Sequence, residues 1–329
     1  APRRYVGHYV FAKITAQPHY SHRLTVSGLG DPTLIDNTIQ SNRTRPEAES
    51  RQAQGGLMVH GKWEWFIGDS GVLTTQYTHK KDYIEVAPVP CTWDRSAPGK
   101  ACAEGQPEGY VDLWTPGVYG RYDAYSRQNY YRYYYDDRML DAISTDLTGY
   151  LPDFLGSMEI KGGASVQFKG RDLVQGYTGN TWINERLEDA GDPSSVVNYY
   201  WVERPGALHT TGSGLEFSAY LQDTWKPRQN LTLDLGLRYE RSVFANDVGR
   251  RIVNTQILLP RLAFSWDPTN NRRAKIYGGF GMFGDGGRIA ISGFLNENTQ
   301  GHKLYLGEYF DRDENHSYDM YSRDQGQSE

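Results

Sequence analysis

The sequence predicts an all-β protein: a transmembrane, antiparallel, up-and-down β-barrel, of which the chain supplies about ten strands of a larger barrel. Three observations carry the prediction. Segments of ten to fourteen residues alternate strictly between apolar and polar side chains, the connections between them alternate between short and long, and tryptophans collect at the short-connection ends. Strict period-two alternation marks a strand with two unlike faces. Such lengths are about twice the globular norm of five or six residues, whereas a tilted strand crossing a bilayer needs about 9–11.

The strands pair off in order along the chain. The first two, near 5–16 and 20–30, are joined by Gln17-Pro18-His19. The next, 53–66 and 71–84, meet through Ile67-Gly68-Asp69-Ser70; there Leu57, Val59, Trp63 and Trp65 alternate with Met58, His60, Lys62 and Glu64. Strands at 138–151 and 157–169 meet through Pro152 to Gly156, and the second splits completely into Met158, Ile160, Gly162, Ala164, Val166 and Phe168 against a polar set. Strands at 214–225 and 230–242 follow, with Asp223 breaking one apolar row and Leu231, Leu233, Leu235, Leu237 and Tyr239 forming the other. The last pair, 256–267 and 273–283, is joined by 268–272. Between the hairpins lie long connections near 31–52, 85–137, 170–213 and 243–255, and a tail at 284–329. Short turns on one side and long loops on the other are the sidedness of an outer-membrane barrel.

Trp63, Trp65, Trp225 and Trp266 sit at short-turn ends, where an amphipathic ring gains from one apolar and one wet neighbour. They are read as an interfacial girdle, with ordinary core tryptophans as the plainer reading. The run Tyr130-Tyr131-Arg132-Tyr133-Tyr134-Tyr135 precedes a strand at its outer end and suits a second girdle or loop packing better than recognition. In the loop 170–213, Trp182, Tyr199, Tyr200 and Trp201 are candidate ligand-facing residues, able to stack on sugars or peptides; simple loop packing is the blander account.

Composition narrows the function classes. No window holds the roughly 18–20 consecutive apolar residues of a membrane helix. Thirty-five Lys and Arg against 40 Asp and Glu leave a net charge of −5, which excludes a dedicated nucleic-acid binder with its basic domain or stripe. Cys91 and Cys102 are spaced too widely for a CxxC redox or zinc pair; a loop-stapling disulfide is expected, with two free thiols as the alternative. The eight histidines are scattered, and no HExxH, Cys–His or Ser–His–Asp spacing emerges. Enzyme activity therefore has no positive support, and no cofactor is expected. His60, on a polar strand face, reads as a hydrogen-bonded wall residue. Gly279-Phe280-Gly281-Met282-Phe283-Gly284 matches GxGxxG formally, but it lies in a strand rather than between a strand and a helix. Asp311-Arg312-Asp313-Glu314-Asn315 carries His316 where a calcium loop needs glycine. Asp136-Asp137 and Leu187-Glu188-Asp189 read as exposed loop charge.

The stretch Phe217-Ser218-Ala219-Tyr220-Leu221-Gln222-Asp223-Thr224-Trp225, followed by Asn230 to Glu240, resembles a hairpin of TonB-dependent outer-membrane receptors. The next hairpin, Pro260 to Pro268 through Ile276 to Gly281, is similar to the Oar-like branch. Together these cover about 70 residues, roughly a fifth of the chain. The resemblance implies a barrel of roughly 22 strands with a plug inside it, energised through TonB, in the Gram-negative outer membrane. Both ends of the predicted strand set fall on the long-loop side. Residues 1–329 are therefore read as part of one barrel domain, with plug and further strands outside it.

The expected function is ligand capture by outer loops followed by TonB-driven import. The expected partners are outer-membrane lipid and lipopolysaccharide, TonB itself, and surface lipoproteins or other outer-membrane proteins. A structural or assembly barrel, or a passive porin-like channel, are the alternatives.

Overall fold

The computed structural model describes residues 2–39, 41–93, 100–121, 125–152, 155–187, 196–202, 207–284 and 289–290. Seventeen strands are found among them: β1 (Arg4–Gly7), β2 (Val10–His19), β3 (His22–Gly30), β4 (Thr33–Asp36), β5 (Ser50–Ile67), β6 (Gly71–Pro88), β7 (Cys91–Thr92), β8 (Lys100–Ala101), β9 (Gly117–Arg121), β10 (Arg132–Leu151), β11 (Ser157–Tyr177), β12 (Thr181–Leu187), β13 (Val196–Val202), β14 (Leu208–Arg228), β15 (Leu231–Ala245), β16 (Arg251–Trp266) and β17 (Ile276–Gly281).

Twelve of these form one sheet, in the order β1-β4-β5-β6-β10-β11-β14-β15-β16-β17, with β2 on β3 and β3 also on β5. Every pairing within it is antiparallel between neighbours in the chain or across a loop excursion. Since β1 with β2, and β4 with β3, are each one strand broken in two, the wall has the ten positions expected. A close approach across the sheet marks the break. Gly55 of β5 takes φ +152°, and a Cβ there would stand 2.8 Å from the Cα of Pro32, in the gap between β3 and β4.

The wall is inverted relative to a water-soluble sheet. Its outward face exposes Ile143, Phe168, Leu221, Leu237 and Leu262, with Leu221 61% exposed, while Ser218, Glu64 and Asp136 on the opposite face are buried, Asp136 at 4%. Large apolar side chains in water and charges out of it would cost free energy in a soluble protein. Both arrangements are favourable when the outer surface meets lipid.

The strands run further than the alternation predicts, reaching 20 and 21 residues in β10, β11 and β14. The loops expected at 85–137 and 170–213 shrink accordingly and carry β7, β8, β9, β12 and β13. The connection expected to be long near 243–255 is only the link 246–250 between β15 and β16. The physical reason is that alternation reports two different environments. Above the lipid, both faces of the rising strands meet polar surroundings, so residues 132–137, 170–177 and 208–213 lose the pattern while keeping the ladder. The tail expected at 284–329 lies almost wholly outside the described residues. The GxGxxG stretch starts within β17, antiparallel to β16, with no α-helix following among the described residues.

Candidate functional site

The inner face is a ladder of polar side chains contributed by alternate positions of neighbouring strands. At its upper level Arg171 of β11 binds Asp136 of β10 through two nitrogens, at 2.8 and 2.9 Å, and Arg138 adds a 2.6 Å contact to the same carboxylate. Arg171 also donates to the Ala290 carbonyl at 3.4 Å, so the chain beyond β17 returns to this level of the wall. Below lie the Lys169–Glu216 pair, Ser165 with Ser218 at 2.9 Å, and Arg238, which reaches Ser218 at 3.1 Å and also pairs with Glu240. Lower still, the Tyr220 hydroxyl donates to Asp146 at 2.7 Å across β11. Gly163 of β11 lies between them, where a Cβ would collide with the Asp146 carboxylate and stand 2.8 Å from the Tyr220 ring. Glycine at that position lets the two side chains meet over the strand.

Above the wall, the two longest loops are not independent. From the first, β9 pairs in parallel with β12 of the second, and β12 pairs antiparallel with β13. The platform beneath them is polar and closely built. Asn129, 1% exposed, donates to the carbonyls of Asp112 and Thr115 at 2.8 and 2.9 Å. Thr178 of the second loop donates to the Tyr130 carbonyl and accepts from the Gly117 amide, at 2.8 and 3.1 Å. The Asp112 carboxylate receives the Trp114 and Thr115 amides at 2.9 Å each and the Lys100 ammonium at 3.1 Å. Burial opposes its ionisation, but these donors outweigh burial and hold its pKa at about 2. Tyr131 packs among Tyr119, Tyr130 and Tyr177, stacked on the last and edge-on to Tyr130, and burial pushes its hydroxyl up to about 12.

The candidate residues are distributed over both the wall and the loops. Cys91 and Cys102 are bonded, stapling the first loop beside the short β7–β8 pair. Trp63, Trp65, Trp225 and Trp266 all stand on outward positions near the short turns. Trp63 and Trp65 stack at 6.4 Å with His22 against both, and the Trp225 indole donates to the Leu155 carbonyl at 2.9 Å. His60 bonds Thr78 across β5 and β6 at 3.0 Å. Trp182 lies opposite Trp201 in the register of β12 and β13, with Tyr199 and Tyr200 on the same ladder. Of the tyrosine run, Tyr130 and Tyr131 pack the loop platform, while 132–135 belong to β10.

One expectation is corrected. Asp136 is not exposed loop charge; it is buried and held by two arginines. Its parity with Arg138 on β10, and the parity of Arg171 with Lys169 on β11, was the available signal, hidden because the strand starts six residues earlier than the alternation indicates. Glu188 and Asp189, and the candidate calcium segment 311–319, lie outside the described residues. Among the described residues no group of His, Cys, Asp and Glu is arranged to hold a metal.

A sheet with an apolar exterior, a hydrogen-bonded polar interior, short turns at one end and built-up loops at the other defines the wall of a membrane-spanning β-barrel. The family described as TonB dependent receptor-like, beta-barrel matches residues 108–288, more than half the chain. The chain belongs to that family, which places it in the Gram-negative outer membrane.

It is similar to the TonB-dependent transporter Oar of Myxococcus xanthus, with 26% identity over 167 residues, 45% of this chain and 15% of that protein. Among solved structures it resembles FpvA of P. aeruginosa, solved with heterologous pyoverdines, with TM-score 0.56 and 13% identity over 84% of this chain and 35% of that one. The outer membrane transporter YddB from Escherichia coli gives TM-score 0.53 and 14% identity over 88% and 33%. The chain thus spans about a third of those structures' length and less of the curated relative. At these identities the structures show the shared fold.

Proposed function

We propose that residues 1–329 form part of one larger barrel of roughly 22 strands, and that the whole protein captures a ligand with its outer loops and imports it with energy from TonB. The observation that carries this reading is the joining of the two long loops into one sheet above a polar-lined wall. A passive channel has no need of such a platform over its mouth, whereas a receptor needs a positioned, aromatic-bearing surface there. In this reading Trp182, Tyr199, Tyr200 and Trp201 supply stacking surface to the ligand. The Asp136–Arg171 level is the first polar ring it meets inside, and the four tryptophans near the short turns ride at the inner interface.

The test uses the full-length protein. Binding to the periplasmic domain of TonB, together with no steady conductance in planar bilayers, is the expected pair of results. Open ohmic conductance would instead make it a porin-like channel, and absence of TonB binding would favour a structural barrel that anchors surface proteins or lipoproteins.

A further inference from the structure

Five cations gather at the short-turn end of the wall. The end of β14 carries Lys226 and Arg228, and the turn between β16 and β17 carries Arg272, Arg273 and Lys275; Asp267 is the single carboxylate of the two segments, 226–230 and 267–275. All five are exposed. Among the described residues none of their side chains forms a hydrogen bond or an ion pair, and Lys275 has a ring contact, 5.8 Å from the Tyr277 centroid. The other short turns, 20–21, 68–70 and 152–156, hold no Lys or Arg, and Arg23 beside the first is tied to Glu64.

The two basic turns are fastened to each other. The Asp267 amide donates to the Asn230 carbonyl, and Asn230 Nδ2 donates to the Asp267 carbonyl, each at 2.9 Å. The Asp267 carboxylate is engaged within its own turn, where it accepts the Thr269 amide and hydroxyl at 3.0 and 2.7 Å and the Arg272 amide at 2.6 Å. Its oxygens bind backbone and hydroxyl donors and leave the guanidinium groups beside them unpaired. Arg272 stands at φ +64°, a left-handed conformation that glycine or asparagine takes with less strain. A turn built only to reverse the chain would be better served by glycine there.

The strand register sets the direction in which the patch faces. Trp225, Trp266 and Ile276 take the outward positions at this level, so Lys226 and Lys275, each one residue away, stand on the opposite face. The cations therefore turn from the lipid towards the water at the short-turn mouth, which in an outer-membrane barrel is periplasmic. From β14 to β17 there are three strand spacings, so the patch is roughly 14 Å wide. That is too broad for one small anion and suits several carboxylates carried along one chain.

We propose that the paired turns 226–230 and 267–275 form a docking surface for an acidic polypeptide segment of a periplasmic protein. Opposite charge would guide the encounter and fix which side of the mouth the partner occupies. The surface rests on the sidedness of the wall and is independent of whether the protein imports a ligand.

The full-length protein in phosphatidylcholine nanodiscs is titrated, by fluorescence anisotropy, with a labelled peptide of alternating glutamate and serine. Binding that weakens as salt rises is expected, and no binding of the same peptide with glutamine for glutamate. The triple variant Arg272→Gln, Arg273→Gln, Lys275→Gln should bind about tenfold more weakly. Arg272→Gly separates turn structure from recognition: it should keep or improve thermal stability yet lower the affinity about twofold. Lys81→Gln, on β6 far from the short turns, should change nothing. Heat-modifiable gel migration confirms that each variant is folded. Wild-type affinity in the triple variant overturns the proposal, and so does binding indifferent to salt. Loss of peptide binding when phosphatidylglycerol is added to the nanodiscs would assign the cations to lipid headgroups and overturn it as well.

Discussion

Two stretches of the wall solve the same problem differently. Across β14, β15 and β16 the outward face is hydrocarbon for most of its height: Leu221 and Ala219, then Leu233, Leu235 and Leu237, then Leu258, Leu262 and Phe264. Across β6 and β10 it is not. There the outward register carries Thr75 opposite Thr145, Tyr77 opposite Ile143 and His79 opposite Asp141. The polar groups at this seam satisfy one another: the Tyr77 hydroxyl donates to Asp141 Oδ1 at 2.7 Å, His79 Nδ1 lies 2.8 Å from the same oxygen, and the two threonine hydroxyls are 3.2 Å apart. The difference teaches that a lipid-facing wall tolerates polar groups where they satisfy one another, because an unsatisfied polar group in a medium without water has no alternative partner; Asp223, with one carboxylate oxygen unpaired on the outward row of β14, is the exception within the apolar stretch.

The comparison breaks most readily at its apolar side. Leu262→Arg, placed within the band between Leu235 and Phe280, should destabilise the folded protein by about 2–4 kcal/mol in a urea titration in vesicles; a loss within error would mean that this face does not meet lipid. At the seam, Asp141→Ala strands both Tyr77 and His79 and should cost about 1–3 kcal/mol. Replacing all three at once, by Tyr77→Phe, His79→Leu and Asp141→Leu, should return the protein close to wild-type stability. If the triple variant were as weak as the single one, mutual satisfaction would not be the rule.

A milder probe turns from the outer face to the inner one. Gly163→Ala forces Asp146 and Tyr220 apart and should cost about 1 kcal/mol, whereas Gly61→Ala, where a Cβ meets nothing within 4 Å, should cost almost nothing. The smallest effect lies above both stretches, at Asp112. Its pKa is depressed to about 2 from an ordinary value near 3.9, so its contribution to loop order is complete above that ordinary value and fades as pH falls towards 2. Hydrogen exchange at the Trp114 and Thr115 amides should quicken over that interval, and Asp112→Asn should flatten the dependence.

How much of this was legible in the sequence depends on where the two faces of a strand meet different surroundings. From Met158 to Phe168 and from Leu231 to Tyr239 one face meets lipid and the other a polar interior, and the residues record it. At Tyr133, Val174 or Thr210 no such contrast exists, and the strands continue unannounced. Asp136 was misplaced for that reason alone. The pairing of β9 with β12 joins residues more than sixty positions apart through backbone groups, which every residue carries, so no side-chain pattern marks it.

The union of β9, β12 and β13 bears on how such a protein can be rebuilt. Loops on a barrel are usually thought of as interchangeable parts, each grafted without regard to the rest. Here the strand edges of one excursion are completed by the other, and Thr178 of the second stands between the Gly117 amide and the Tyr130 carbonyl of the first. The two are a single heritable unit: a chimaera that borrows only one from a relative inherits half a sheet, and a functional exchange has to carry both.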